Sequence, residues 1–138
     1  MTGLWVAIAA VVVVAAFGGY RKLTDGKARQ ASTGEPTLGQ AQLGTPLGST
    51  ATFVQFSSKV CAPCVATGRL LSGLTAQRDD VKHVEIDGEE RLDLVREFGV
   101  SRTPTVLLLD PEGEIRYRFV GPSRKAEFID ALAELQAA

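Results

Sequence analysis

Histidine occurs once in this 138-residue chain, and cysteine only twice. That scarcity bears on metal chemistry. A structural zinc site wants four Cys or His ligands, and Cys61, Cys64 and His83 supply three. Zinc would need a second chain, so no metal and no other cofactor is expected. Charge of one sign is lacking too. The formal net charge is -1, so bulk electrostatics gives no argument for a nucleic-acid partner.

The N-terminal stretch lacks charge altogether. Gly3 to Tyr20, "GLWVAIAAVVVVAAFGGY", would span about 27 Å as a helix, close to the hydrocarbon thickness of a bilayer. Trp5 and Tyr20 flank it, as amphipathic rings at two interfaces would. A cleaved signal peptide wants a basic n-region and a small-residue cleavage site. Met1 and Thr2 carry no basic group, and Phe17 breaks the small-residue pattern. The expectation is a single transmembrane helix over residues 1–22. Arg21, Lys22, Lys27 and Arg29 follow the segment and no basic residue precedes it. The positive-inside rule then puts a single-pass protein in the cell membrane with its C-terminal part facing the cytoplasm. The cytoplasm keeps thiols reduced, so the orientation matters for any cysteine chemistry.

Residues 23–49 lack a sustained apolar period and are rich in Gly, Gln, Thr and Ala. They read as a flexible linker, although Leu38, Leu43 and Leu47 offer points for docking. From Thr50 the texture changes. "TATFVQFSS" reads as a strand, and about Ala62 to Gln77 as a helix with Ala66, Leu70, Leu71 and Leu74 on one face. "VKHVEID" (81–87) alternates as a strand does. Glu89 to Phe98 reads as a short helix with Leu92, Val95 and Phe98 inward, ended by Gly99. "TVLLLD" (105–110) is a continuous apolar run, as of a strand buried on both faces. "DPEG" (110–113) is a type I turn signal, leading into the alternating "EIRYRFVG". Ser123 is placed to cap a last helix with Phe128, Leu132 and Leu135 inward. The order predicts an α/β domain over residues 50–138, with a mixed sheet flanked by helices. Its first strand–helix–strand unit should be parallel and its closing hairpin antiparallel.

In that layout "KVCAPC" (59–64) falls where the first strand gives way to a helix. A thiol there meets unpaired N–H groups and the positive end of the helix dipole, which favour the thiolate nucleophile. Pro63 fits a first helical turn. Three uses of the pair are open: two thiolates holding Cu(I), a short structural staple, or a redox couple. A disulfide closing four residues stabilises little, about 2 kcal/mol by loop entropy. "RTPT" (102–105) adds a remote observation. A proline ahead of a central strand needs a reason, such as a cis peptide beside a reactive site, though a trans proline can also open a strand.

These residues resemble the thioredoxin family. "TFVQFSSKVCAPC" is similar to its strand ending in Cys-Gly-Pro-Cys. "HVEIDGEERLDLVREFGVSRTPTVLLLDPEGEIRYRFVG" is similar to its Asp-ending strand, short helix, cis-proline loop and hairpin. The resemblance covers Thr50 to Ala138 and implies a thioredoxin-like fold. It implies that Cys61 attacks, that Cys64 resolves, and that Val60, Ala62, Pro63, Thr103 and Pro104 meet the substrate. The implied activity is reduction of protein disulfides by a membrane-tethered monomer fed by an upstream electron donor. A Cu(I) chaperone and a redox-inactive scaffold are the rival readings. The chain also departs from the family. Val60 and Ala62 stand where Trp and Gly are usual. Gln55 stands where the family buries an acid, and His83 where that acid has a lysine partner. Gln55 cannot exchange a proton, so Gln55 and His83 are a candidate proton-transfer pair only if His83 is the base. A solvated histidine on an alternating strand is the plainer expectation. The insertion carried by family members that reduce cytochrome c apoproteins is missing, and the family's first strand and helix look vestigial.

Overall fold

The computed structural model describes all 138 residues. Its first element is a helix, α1 (Thr2–Thr24), with no buried residue. It is long and apolar enough to cross a membrane, a test that a signal sequence also passes.

Strand β2 (Ala51–Ser57) forms the heart of the sheet, and all seven of its residues are buried. On one side it pairs in parallel with β3 (Val81–Asp87). On the other it pairs antiparallel with β4 (Thr105–Leu109), which forms a hairpin with β5 (Ile115–Val120). The hairpin turn closes through the Gly113 N–H donating to the Asp110 carbonyl at 3.0 Å. β4 is buried along its length, as a continuous apolar run between two covered faces must be. Helix α3 (Ala62–Thr75) makes the crossover between the parallel strands β2 and β3, and α4 (Leu92–Glu97) and α5 (Lys125–Ala137) complete the domain. Alternation of side chains splits the core into two layers. Phe53, Leu71, Val106, Leu108, Phe119 and Phe128 pack on the α3 and α5 face. Val54, Phe56, Leu94, Phe98, Leu107 and Leu109 pack on the other.

The flexible-linker expectation for residues 23–49 does not match the structure. The Gly26 N–H donates to the Val120 carbonyl at 2.9 Å. β1 (Arg29–Gln30) then pairs antiparallel with the free edge of β5, opposite Arg118 and Tyr117. The order across the sheet is β1-β5-β4-β2-β3. Further on, Leu38 is fully buried in the second core layer, and its N–H donates to the Gly113 carbonyl at 2.9 Å. A single turn, α2 (Gln40–Leu43), follows, and Leu43 and Leu47 pack beside Leu38. The segment needs no periodicity of its own because β5 supplies its strand partner and the domain supplies its hydrophobic cover.

Three local expectations also fail. Ala66 is exposed, while Cys64, Thr67, Gly68 and Leu71 form the buried face of α3, because the helix lies closest to the sheet along the Gly68 ridge. Leu92 is 51% exposed, and Leu94 takes the core position instead. Ser123 does not cap α5; its hydroxyl donates to the Gly121 carbonyl, and Arg124 occupies the cap position.

Candidate active site

The chain leaves β2 at Ser57, loops through Ser58 to Val60, and enters α3 with Cys61 at the N-cap. The Cys64 N–H donates to Cys61 Sγ at 3.2 Å, and the Thr103 hydroxyl donates to it at 3.7 Å. Cys61 and Cys64 form a disulfide, with Cα atoms 5.2 Å apart. Only Cys61 is reachable: it is half-buried, whereas Cys64 is 2% exposed. When the bridge is reduced, the donors on Cys61 Sγ stabilise a thiolate there, and nothing comparable serves Cys64.

The loop before β4 closes the site. The Thr103–Pro104 peptide is cis, as "RTPT" allowed. Thr103 is half-buried and Pro104 buried, so Thr103 presents the loop's surface. No turn or loop hydrogen bond uses the Thr103 backbone. Val60 is 97% exposed, and Ala62 and Pro63 are exposed beside it. Thr103 borders a groove whose other lining residues the sequence does not single out as site residues. It has a volume of about 220 Å³ and is lined among others by Ser58, Leu92, Val95, Val100 and Thr103. Ser58 shares a hydrogen bond with Thr103 at 3.3 Å between their hydroxyl oxygens. The helical pattern puts Leu92 inward, so its exposed place beside this groove carries no signal at the level of sequence.

Behind the cysteines lies Gln55, which is fully buried. Its Nε2 donates to the Cys64 carbonyl at 2.8 Å and to Ser57 Oγ at 2.9 Å. Its Oε1 therefore faces His83 Nε2, 3.0 Å away. An amide oxygen only accepts, so the neutral imidazole carries its proton on Nε2. His83 Nδ1 then accepts from the Ser72 hydroxyl at 3.3 Å. The structure thus unites Gln55 and His83, and His83 is half-buried rather than solvated on an open strand. Burial pushes the imidazole pKa below its ordinary 6.5, partly opposed by the neighbouring Glu85 carboxylate. The basic lone pair points at Ser72, and the link from His83 toward Cys64 runs through an amide that cannot relay a proton.

The site is coupled to the end of α1. Arg102, two residues before Pro104, donates to the Asp25 carboxylate and to the Val120 carbonyl. The Arg102 guanidinium holds the Asp25 carboxyl below the usual aspartate value of 3.8. Gly26 fits beside them only without a side chain: its φ is +74°, and a Cβ would lie 1.9 Å from the Pro122 carbonyl oxygen.

The thioredoxin-like domain profile matches residues 46–136. The chain belongs to the thioredoxin-like family. Thioredoxin H2 of Arabidopsis thaliana is 31% identical over 84 residues, covering 61% of this chain and 62% of that protein. Among solved structures, thioredoxin NaTrxh of Nicotiana alata is 32% identical with a TM-score of 0.56, covering 62% of this chain and 73% of that one. Mitochondrial thioredoxin 3 of Saccharomyces cerevisiae shares the fold at 22% identity and a TM-score of 0.55, over 62% of this chain and 79% of its own. The chain spans less than two thirds of the length of that Arabidopsis protein, and it carries a disulfide-bonded Cys-x-x-Cys pair within the thioredoxin-like domain.

Proposed function

We propose that this thioredoxin-like protein is a membrane-tethered reductase of protein disulfides. The observation that carries the reading is the asymmetry of the pair. Cys61 Sγ is reachable and receives two donors, while Cys64 is buried directly behind it. The Cys61 thiolate attacks one sulfur of a substrate disulfide and expels the other as a thiolate, which takes a proton from water. Cys64 then loses its proton and attacks Cys61 Sγ. The bond between Cys61 and the substrate sulfur breaks, and the second substrate thiolate leaves and is protonated. The Cys61–Cys64 disulfide that results is the species in the structure, and an upstream dithiol donor of two electrons must reduce it. The exposed Val60, Ala62 and Pro63 and the free Thr103 backbone would meet an extended substrate segment lying against Cys61.

The exposed apolar α1 supports a single membrane span, and Arg21, Lys22, Lys27 and Arg29 support a cytoplasmic face for the domain. The Asp25–Arg102 contact and the Gly26 fit favour a domain held close to that surface. The test is insulin reduction with dithiothreitol as electron source, using the full chain in detergent. Wild type should accelerate precipitation of the insulin B chain, and Cys61→Ser should not. Equal rates for the two, or no acceleration by wild type, would sink the reading. A C-terminal reporter fusion active only on the cytoplasmic side is the expected topology result; one active only on the outer side would reverse the orientation.

A further inference from the structure

Cys64 has to lose a proton before it can resolve a mixed disulfide, and neither residue of the Gln55–His83 pair is placed to take it. Gln55 does not titrate. His83 offers its lone pair to Ser72 on the far side of the ring. A carboxylate stands one strand away. Glu85 is the register partner of Gln55 on β3, and lies two residues from His83, on the same face of the strand.

α3 leaves a gap above that pair. Gly68 lies one helical turn after Cys64 and has no side chain. A Cβ built on it would sit 3.5 Å from Glu85 Oε2 and 3.5 Å from Gln55 Oε1. The carboxylate and the Gln55 amide thus converge on one point beside the helix. The same place opens as a cleft of about 450 Å³ lined by Cys64, Val65, Gly68, Arg69, Ser72 and Glu85. It is a second opening beside Cys64 and shares no lining residue with the groove at Thr103. β3 is the edge of the sheet, and Glu85 is exposed there, so a proton on its carboxylate can pass to solvent.

We infer that Glu85 is the proton acceptor for Cys64, working through water admitted by the Gly68 gap. The inference rests on the reading of Cys61 and Cys64 as an exchanging pair. The acid that thioredoxins bury beneath the cysteines is replaced in this chain by Gln55, and a carboxylate on the neighbouring strand serves from outside. The step balances simply. The Cys64 S–H bond breaks, its proton passes by way of water to the Glu85 carboxylate, and the Cys64 electron pair forms the new bond to Cys61 Sγ. His83 and Gln55 are positioning residues, holding the Cys64 carbonyl and hence the start of α3. The other charged groups facing Glu85 are Arg69 on α3 and His83 on its own strand; the facing β2 residues Phe53, Gln55 and Ser57 carry no charge.

The test separates the two chemical steps. Reduced full-length protein in detergent is mixed rapidly with 5,5′-dithiobis(2-nitrobenzoate). The first release of thionitrobenzoate reports attack by Cys61, and the second reports resolution by Cys64. For Glu85→Gln the first release should be unchanged. The second should slow by about 10-fold near neutral pH, less than a directly bonded base contributes because water intervenes. Its rate should then climb with pH toward that of wild type as free Cys64 thiolate takes over. Glu85→Asp should restore part of the rate. Gly68→Ala, whose methyl group meets its neighbours at ordinary contact distance, should slow the second release with Glu85 still present. A second release in Glu85→Gln with the wild-type pH profile would overturn the inference and leave the reductase reading intact. Failure of wild type to give a first release would instead overturn that reading.

Discussion

Replacing Leu38 with alanine asks whether the segment after α1 is part of the domain or a tether. Leu38 is fully buried, packed in the layer that holds Val54, Phe56, Leu107, Leu109 and Ile115. Its backbone is pinned to Gly113, so it cannot move far to refill the space left by a shortened side chain. Leucine-to-alanine changes at such sites cost about 2–5 kcal/mol, the sum of lost transfer energy and a residual cavity. Leu43 and Leu47 lie beside the site and can relax partly into it, so about 3 kcal/mol is the expectation. With a urea m-value of about 1.5 kcal/mol/M, the unfolding midpoint falls by about 2 M. The assay is urea unfolding of the full chain in a mild detergent, followed by far-ultraviolet circular dichroism, with α1 contributing a constant baseline. A leucine on a solvated tether would change stability by no more than about 0.5 kcal/mol. A midpoint shift that small would refute the packing of residues 25–48 described here.

Gly26→Ala should lower stability by more than about 1 kcal/mol in the same assay, because a left-handed residue gains a side chain that also meets the Pro122 carbonyl. An unchanged midpoint would mean that the end of α1 does not dock beside the Arg102 loop. His83 is the only histidine, so its ring resonance can be followed by NMR without ambiguity. Its pKa should fall below 6.5, since burial outweighs the opposing Glu85 charge. With the folded value lower than the unfolded one, the unfolded chain binds more protons between the two. The stability contribution is therefore complete above pH 6.5 and is lost as pH falls through the folded pKa. Asp25 follows the same sign at lower pH: its pairing with Arg102 contributes above pH 3.8 and is lost as pH falls through its depressed folded value.

Much of the domain can be read from local pattern. The continuous run of β4, the alternation of β3, the Asp-Pro-Glu-Gly turn and the helix entry after Cys61 each act over a few residues. What escapes the sequence depends on contacts between distant segments. Arg29 and Gln30 become a strand only because β5 leaves an edge open, and nothing apolar in those two residues announces it. Leu38 is buried in a layer whose other core members, Val54 to Ile115, all lie in the domain beyond the segment, so its place in a polar stretch looks like exposure. On α3 the helical period finds Leu71, but it cannot say that the closest ridge runs through Cys64 and Gly68 instead of Ala66. In the site, Cys61, Cys64 and Pro104 follow from motifs. The His83–Gln55 contact was foreseeable from the strand register. Glu85, two residues further along an alternating strand, was within reach of the same reasoning. The Gly68 gap that gives it access was not, because a missing side chain carries meaning only once its neighbours are placed.

The division of labour between the cysteines is the centre of this account, and mass spectrometry of trapped intermediates tests it most directly. Cys61→Ser and Cys64→Ser are each incubated with a peptide disulfide and quenched with a thiol-alkylating reagent. Cys64→Ser should accumulate a mixed disulfide at Cys61, because attack proceeds and resolution cannot. Cys61→Ser should keep Cys64 unmodified, because Cys64 is only 2% exposed in the folded chain. An adduct on Cys64 in Cys61→Ser, or none on Cys61 in Cys64→Ser, would contradict the assignment.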